Sequence, residues 1–201
     1  MKTRTTRPWA ALFALSTALA ATGCLHFRAD IAVSPAGEVV VRELLTPDPA
    51  WRMEAGDSTG GTRNLIDQYV EEATARGGEA RAYGLDSATA VFRYTSLEAF
   101  VFAWPDSADN RTFWDRSLLR TVQLNGTTCH ELVLFRMSPP DPSKALPNQR
   151  FPVLSFTVTL PVPAESTNAH SRQGTTYAWR FAQTMAHVDS VWVAWPRAGS
   201  E

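Results

Sequence analysis

His26-Phe27-Arg28-Ala29-Asp30-Ile31-Ala32-Val33-Ser34-Pro35-Ala36-Gly37-Glu38-Val39-Val40-Val41 is the stretch that decides the fold class. Phe27, Ala29, Ile31 and Val33 alternate with His26, Arg28 and Asp30, and a period of two puts the apolar set on one face of a half-buried strand. Pro35-Ala36-Gly37 supplies turn chemistry, Pro with its fixed φ and Gly with access to positive φ, so residues 39–45 return as a second strand. The reading is a β-hairpin over residues 26–46. Pro47 and Pro49 end it, because Pro donates no ladder hydrogen bond.

Working outward, Leu65, Ile66, Tyr69, Val70 and Ala73 follow a Gly/Ser/Thr stretch at 56–62 and share one helical face. Thr62 or Asn64 caps the start, Glu72 and Arg76 stand four apart as a surface pair, and Gly77-Gly78 offers the left-handed stop. Residues 80–85 and 89–94 read as strands joined by Asp86-Ser87, and Ser96 caps a short helix through Phe102. The order strand, strand, helix, strand, strand, helix implies an α+β fold, with helices laid on one face of a mainly antiparallel sheet. Further strands and hairpins follow: 118–124 and 128–137 around Asn125-Gly126, a pair suited to a type I′ turn, then the alternating runs 153–160, 177–181 and 191–195. Four prolines make residues 138–150 an extended surface loop.

The N-terminus obeys other rules. Lys2, Arg4 and Arg7 precede an apolar run from Trp9 to Ala21, shorter than the roughly 20 residues a membrane span needs. Charge, apolar run and small residues in that order describe a cleaved secretory signal. It closes on Ala21-Thr22-Gly23-Cys24, which resembles the lipobox of bacterial lipoproteins, where a cysteine receives diacylglycerol through a thioether and becomes the new N-terminus. Ala21 stands where such boxes usually carry Leu; an ordinary secretory signal is the other reading. The resemblance implies a removed signal peptide at residues 1–23, lipidation at Cys24 with palmitate-type acyl chains, and one lipid-anchored domain over 24–201. Because Leu25 rather than Asp follows the cysteine, the enterobacterial sorting rule favours the outer membrane over the inner where the host has two.

Three of the 19 basic residues and none of the 20 acidic ones precede Cys24, so the remainder carries a charge of about −4. That balance leaves no electrostatic footprint for nucleic acid or for an anionic membrane surface. With Cys24 lipidated, Cys129 has no partner within the chain for a disulfide, and the expectation is an inert thiol buried in the core.

Two segments are similar to a known family. The hairpin directly after the cysteine, with its turn Ser34-Pro35-Ala36-Gly37, resembles the start of the LppM-like domain of bacterial envelope lipoproteins. Thr157-Val158-Thr159-Leu160-Pro161, the loop with Ser166-Thr167-Asn168, and Thr175-Thr176-Tyr177-Ala178-Trp179 resemble that family's strand, Pro turn, Asn-containing loop and Trp-bearing strand. The helix at 62–77 and the region Phe92 to Phe100 fit its order, while residues 105–150 run longer than its core. The resemblance implies an α+β domain with an apolar cavity and no agreed enzymatic activity, so it transfers no catalytic residues.

Nor do the residues themselves point to catalysis. His26, His130, His170 and His187 lack zinc-ligand spacing, and adjacent Cys129 and His130 point to opposite faces of a strand. No nucleophile elbow, P-loop, dinucleotide fingerprint or H-E-x-x-H occurs, so neither a metal nor a cofactor is expected. Asp67, Glu71 and Glu72 read as a solvated helix face. The tryptophans after the signal read first as core and loop packing; the alternative makes Trp104 and Trp114 the contact with an apolar ligand, a membrane or a partner protein, since indole suits a surface dry at one end and wet at the other. The expected function is thus a non-enzymatic, lipid-anchored envelope protein that binds an apolar ligand, a lipid or an envelope protein. A structural or assembly subunit without a ligand pocket is the second reading, an enzyme the third.

Overall fold

The computed structural model describes residues 25–48, 59–103, 114–115, 118–137, 153–181 and 190–197. Leu25–Val33 (β1) and Val39–Pro47 (β2) form the opening hairpin, with Ile31 opposite Val41. Its turn closes through the Gly37 N–H donating to the Ser34 carbonyl at 3.0 Å, with Gly37 at φ +85°. The inward set Ala29, Ile31, Val33, Val39 and Val41 is buried. Pro47 is the last residue of β2 rather than the first beyond it.

The long helix (α1) spans Thr59–Ala75, starting before both expected caps. Thr62 does not cap it: it is buried one turn inside, where it continues the stripe of Leu65, Ile66 and Ala73, while Asn64 is exposed. Gly60 and Gly61 each disfavour helix by about 1 kcal/mol relative to Ala, and docking of that stripe offsets the cost. Its C-terminus behaves as expected, with Gly77 at φ +85° and the Gly78 N–H on the Ala73 carbonyl at 2.8 Å. Gly78 is required on steric grounds as well, because an added Cβ would lie 2.5 Å from the Phe92 ring.

Glu79–Tyr83 (β3) and Ser87–Tyr94 (β4) follow. Their turn falls at residues 84–86, earlier than Asp86-Ser87, because Gly84 takes the positive φ of +61°. The short helix Leu97–Ala103 (α2) is capped as expected, Ser96 Oγ accepting from the Ala99 N–H at 3.1 Å. The remaining strands are Trp114–Asp115 (β5), Leu118–Leu124 (β6), Thr127–Met137 (β7), Val153–Thr159 (β8), Ser166–Thr167 (β9), Ser171–Gln173 (β10), Thr176–Phe181 (β11) and Ser190–Pro196 (β12). Asn125 and Gly126 hold φ of 51° and 82° between β6 and β7, as a type I′ turn demands. The expected loop at 138–150 lies outside the described residues.

The fold is α+β and mainly antiparallel, in two sheets rather than one. The first runs β10-β11-β8-β1-β2-β4-β3; the second runs β5-β7-β12-β9, with β6 also on β7. A single parallel pairing among them, β1 with β8, joins residues more than 120 positions apart, with Ile31 opposite Val158. Inward residues of both sheets share one core with Phe100 of α2 and Ala73 of α1. Tyr177, Trp179 and Phe92 are among its largest buried side chains, and each large apolar residue so placed contributes roughly 1.5–3 kcal/mol.

Candidate functional site

Cys24 and Trp104 lie outside the described residues, as does Trp51; Trp114 is seen as a β5 position opposite Met137 on β7. The structure therefore brings none of the three expected site residues into a described site. It does place the start of β1 at Leu25, directly after Cys24. Trp179 and Trp195 are core residues, 1 % and 2 % exposed.

An open groove of about 490 Å³ lies between α2 and the strands β6 and β7. Its apolar strip comes from Val101, Phe102 and Leu119, and Glu98, His130 and Arg197 supply its polar part. Phe102 is 89 % exposed, an unusual position for Phe at the end of a helix that buries Leu97 and Phe100 on its other side. Glu98 sits in the first turn of α2, where a backbone N–H and the Ser96 hydroxyl hold its carboxyl below the usual range, helped by His130 and Arg197. Burial and the Arg197 guanidinium push the His130 imidazole below its ordinary value, against a smaller pull from Glu98. Its ring packs 5.6 Å from that of Trp195, and across the strand pair Arg120 bonds Glu131. At neutral pH the groove thus offers an apolar strip, a neutral imidazole, a carboxylate and a guanidinium, a combination suited to an amphipathic guest. Phe102 carried a local signal in the sequence; His130 and Arg197 arrive from remote strands and carried none.

A second polar cluster is internal. Glu43, on the inner face of β2, accepts from Tyr69 Oη at 2.9 Å and pairs with Arg76 Nη2 at 3.4 Å. Arg76 also lies 4.7 Å over the Phe92 ring. Burial, then the Glu43 charge, push the Tyr69 phenol far above its usual range. Glu72 is half-buried beside this cluster, and burial raises its carboxyl pKa, so it does not belong to the solvated face expected for it. The arrangement ties α1 to the sheet across a desolvated boundary.

Cys129 is fully buried, its thiol pushed up by burial and by the Glu165 charge. Among the described residues no three His, Cys, Asp or Glu side chains gather as metal ligands, and no helix is long and apolar enough to cross a membrane.

No protein-family model matches the sequence, and no curated protein matches it. Among solved structures, the chain is similar to the NMR structure of the folded domain of LppM from Mycobacterium tuberculosis, at 14 % identity, covering 90 % of this chain and 95 % of that one, with a TM-score of 0.49. A likeness of that degree sets neither the family nor the function of this chain.

Proposed function

We propose that this chain is a non-enzymatic bacterial envelope lipoprotein, anchored by diacylglyceryl Cys24 and binding an amphipathic apolar ligand, a lipid or an envelope partner through its α+β domain. The observation that carries the reading is the abutment of Cys24 and β1: the lipobox-like Ala21-Thr22-Gly23-Cys24 ends where the first strand begins. A signal removed before Cys24 would leave a domain that starts with its fold. Stable anchoring takes two chains or more, because one acyl chain holds only marginally, and diacylglycerol supplies two. Where the host has two membranes, Leu25 after the cysteine favours outer-membrane over inner-membrane delivery.

The groove beside α2 supports the binding part of this reading, with Val101, Phe102 and Leu119 for an acyl or other apolar body and Arg197 for a polar end. The exposed Phe102 equally favours a second reading, an assembly subunit that docks a protein there.

Two measurements test the proposal. Inhibiting lipoprotein signal processing should leave a larger precursor, and mass spectrometry of the mature chain should find acylated Cys24; an unmodified Cys24 overturns the anchoring. Titration with detergent or lipid monomers should shift tryptophan fluorescence, and Phe102→Glu or Trp104→Ala should abolish the shift. No response to a broad lipid panel overturns ligand binding and leaves the assembly reading.

A further inference from the structure

The outer face of the seven-stranded sheet is set by the strand register. Arg28, Arg42, Arg81, Arg93 and Arg180 all stand on it, against the acids Asp30 and Glu79. One transverse row reads Arg180, Ser155, Arg28, Leu44, Thr89, Arg81 from β11 to β3. With strands about 4.8 Å apart, those three arginines are roughly 10 and 14 Å from one to the next. Arg28 pairs with Asp30 at 2.9 Å and Arg93 approaches Glu79 at 3.9 Å, while Arg42, Arg81 and Arg180 make no ion pair among the described residues. All five arginines are exposed. The contacts of both helices fall on the other face, through Tyr69 on Glu43 and Phe100 on Tyr94. A cationic plane thus lies on a chain whose overall charge is −1, since net charge averages over faces that the fold separates.

We propose that this face is the surface on which the domain lies against an anionic phospholipid bilayer. The commitment to a bilayer, and not to another polyanion, rests on the anchoring proposed above. Arg28 is four residues past Cys24, so even a fully extended chain keeps the two within about 14 Å. An anchor at the head of β1 holds the plane of the sheet at headgroup level, and arginine stems carry their charge toward phosphates while Ser155 and Thr89 stay within reach of the same layer. The opposing Asp30 neutralises Arg28 in part, which places the net attraction on Arg42, Arg81 and Arg180.

The test removes the anchor so that only the face can bind. The chain over residues 24–201 with Cys24→Ser, which lacks both the acyl chains and the apolar run Trp9 to Ala21, is checked for folding by circular dichroism and sedimented with phosphatidylcholine vesicles with and without phosphatidylglycerol. Binding should appear with phosphatidylglycerol, weaken as salt rises, and fall on the order of fivefold for each of Arg42→Ala, Arg81→Ala and Arg180→Ala. Arg63→Ala, exposed on α1, should bind as the parent does. Equal partition onto both vesicle types, or full binding by the triple variant, overturns the proposal. Because no lipid is attached, neither result depends on acylation of Cys24, which mass spectrometry decides separately. Should Cys24→Ser fail to fold, the intact chain is reconstituted in both vesicles and its arginines modified with phenylglyoxal. Several-fold protection of Arg81 and Arg180 in phosphatidylglycerol supports the proposal, and equal labelling overturns it.

Discussion

The indole Nε1 of Trp179 donates to Asn168 Oδ1 at 2.9 Å, joining β11 of the larger sheet to the residue where the chain leaves the smaller one. The same oxygen accepts the Trp192 N–H at 3.0 Å, and Asn168 Nδ2 donates to the Ser190 carbonyl at 2.6 Å. Asn168 therefore satisfies groups on β11 and on β12, beside the register shift between Val191 and Trp192. An amide can do this because it carries acceptor and donors on one short side chain. The Asn-containing loop and the Trp-bearing strand, which stood out together in the sequence, are in direct contact.

Asn168→Ala should lower stability by about 1–3 kcal/mol, because it strands the buried indole N–H of Trp179 without a partner. Urea unfolding measures it. Asn168→Asp keeps the acceptor but sets a carboxylate against the Ser190 carbonyl, and should fall between the parent and Ala. A loss by Asn168→Ala no larger than that of an exposed substitution such as Asn64→Ala would show that the two sheets do not depend on this junction.

Glu43→Ala should be the more damaging change at the helix boundary. It leaves the buried Tyr69 hydroxyl without its acceptor and takes the carboxylate away from the part-exposed Arg76 guanidinium, a loss of about 1–3 kcal/mol. Tyr69→Phe removes one hydrogen bond and should cost about 1 kcal/mol. If both variants unfold at the same urea concentration, Glu43 is not the centre of this cluster.

Gly78→Ala should destabilise although Gly78 is not among the positive-φ glycines. Its Cβ would meet the Phe92 ring at 2.5 Å and the Ala73 carbonyl oxygen at 2.9 Å, and the latter is backbone that cannot step aside. Overpacking of this kind costs about 1–3 kcal/mol. Combining it with Phe92→Leu should recover part of the loss; an additive double variant would place the strain elsewhere.

Acid should loosen the groove beside α2. The imidazole of His130 sits below its ordinary 6.5 in the folded chain, so between the two values the unfolded chain binds more protons, and stability falls as pH drops through that window. Glu98, also lowered from its ordinary 4.5, adds a second loss at lower pH as its carboxyl takes a proton. His130→Gln should flatten the first of these in a series of urea midpoints against pH. A parent midpoint that rises on acidification across pH 6.5 would contradict the sign.

Alternation and turn chemistry made most strands legible, as at Phe27 to Val33 and at Asn125-Gly126, because both signals are local. Thr62 was misread as a cap because a hydroxyl ahead of an apolar stripe looks the same whether it ends the helix or joins the stripe; burial decides. Glu72 was misread as solvated because helical periodicity does not register how far the docked helix shields the flank of its polar face, where Glu72 is half-buried and burial raises its carboxyl pKa. The groove was half visible, in the apolar end of α2, and half hidden, since His130 and Arg197 reach it only once β7 and β12 have paired.

By itself the sequence determined the longer strands, most of their turns, the presence of two helices, the α+β class, and a signal-like N-terminus ending at Cys24, all of which follow from periodicity, backbone stereochemistry and the order of charge and apolar residues along a short stretch. Only the tertiary structure decided that the strands divide into two sheets, that β8 returns parallel beside β1, that Asn168 bridges Trp179 to β12, and that five arginines share one face. Those are pairings between residues far apart in the chain, selected by the shared burial of two apolar faces, and no local pattern encodes which strand becomes the neighbour of which.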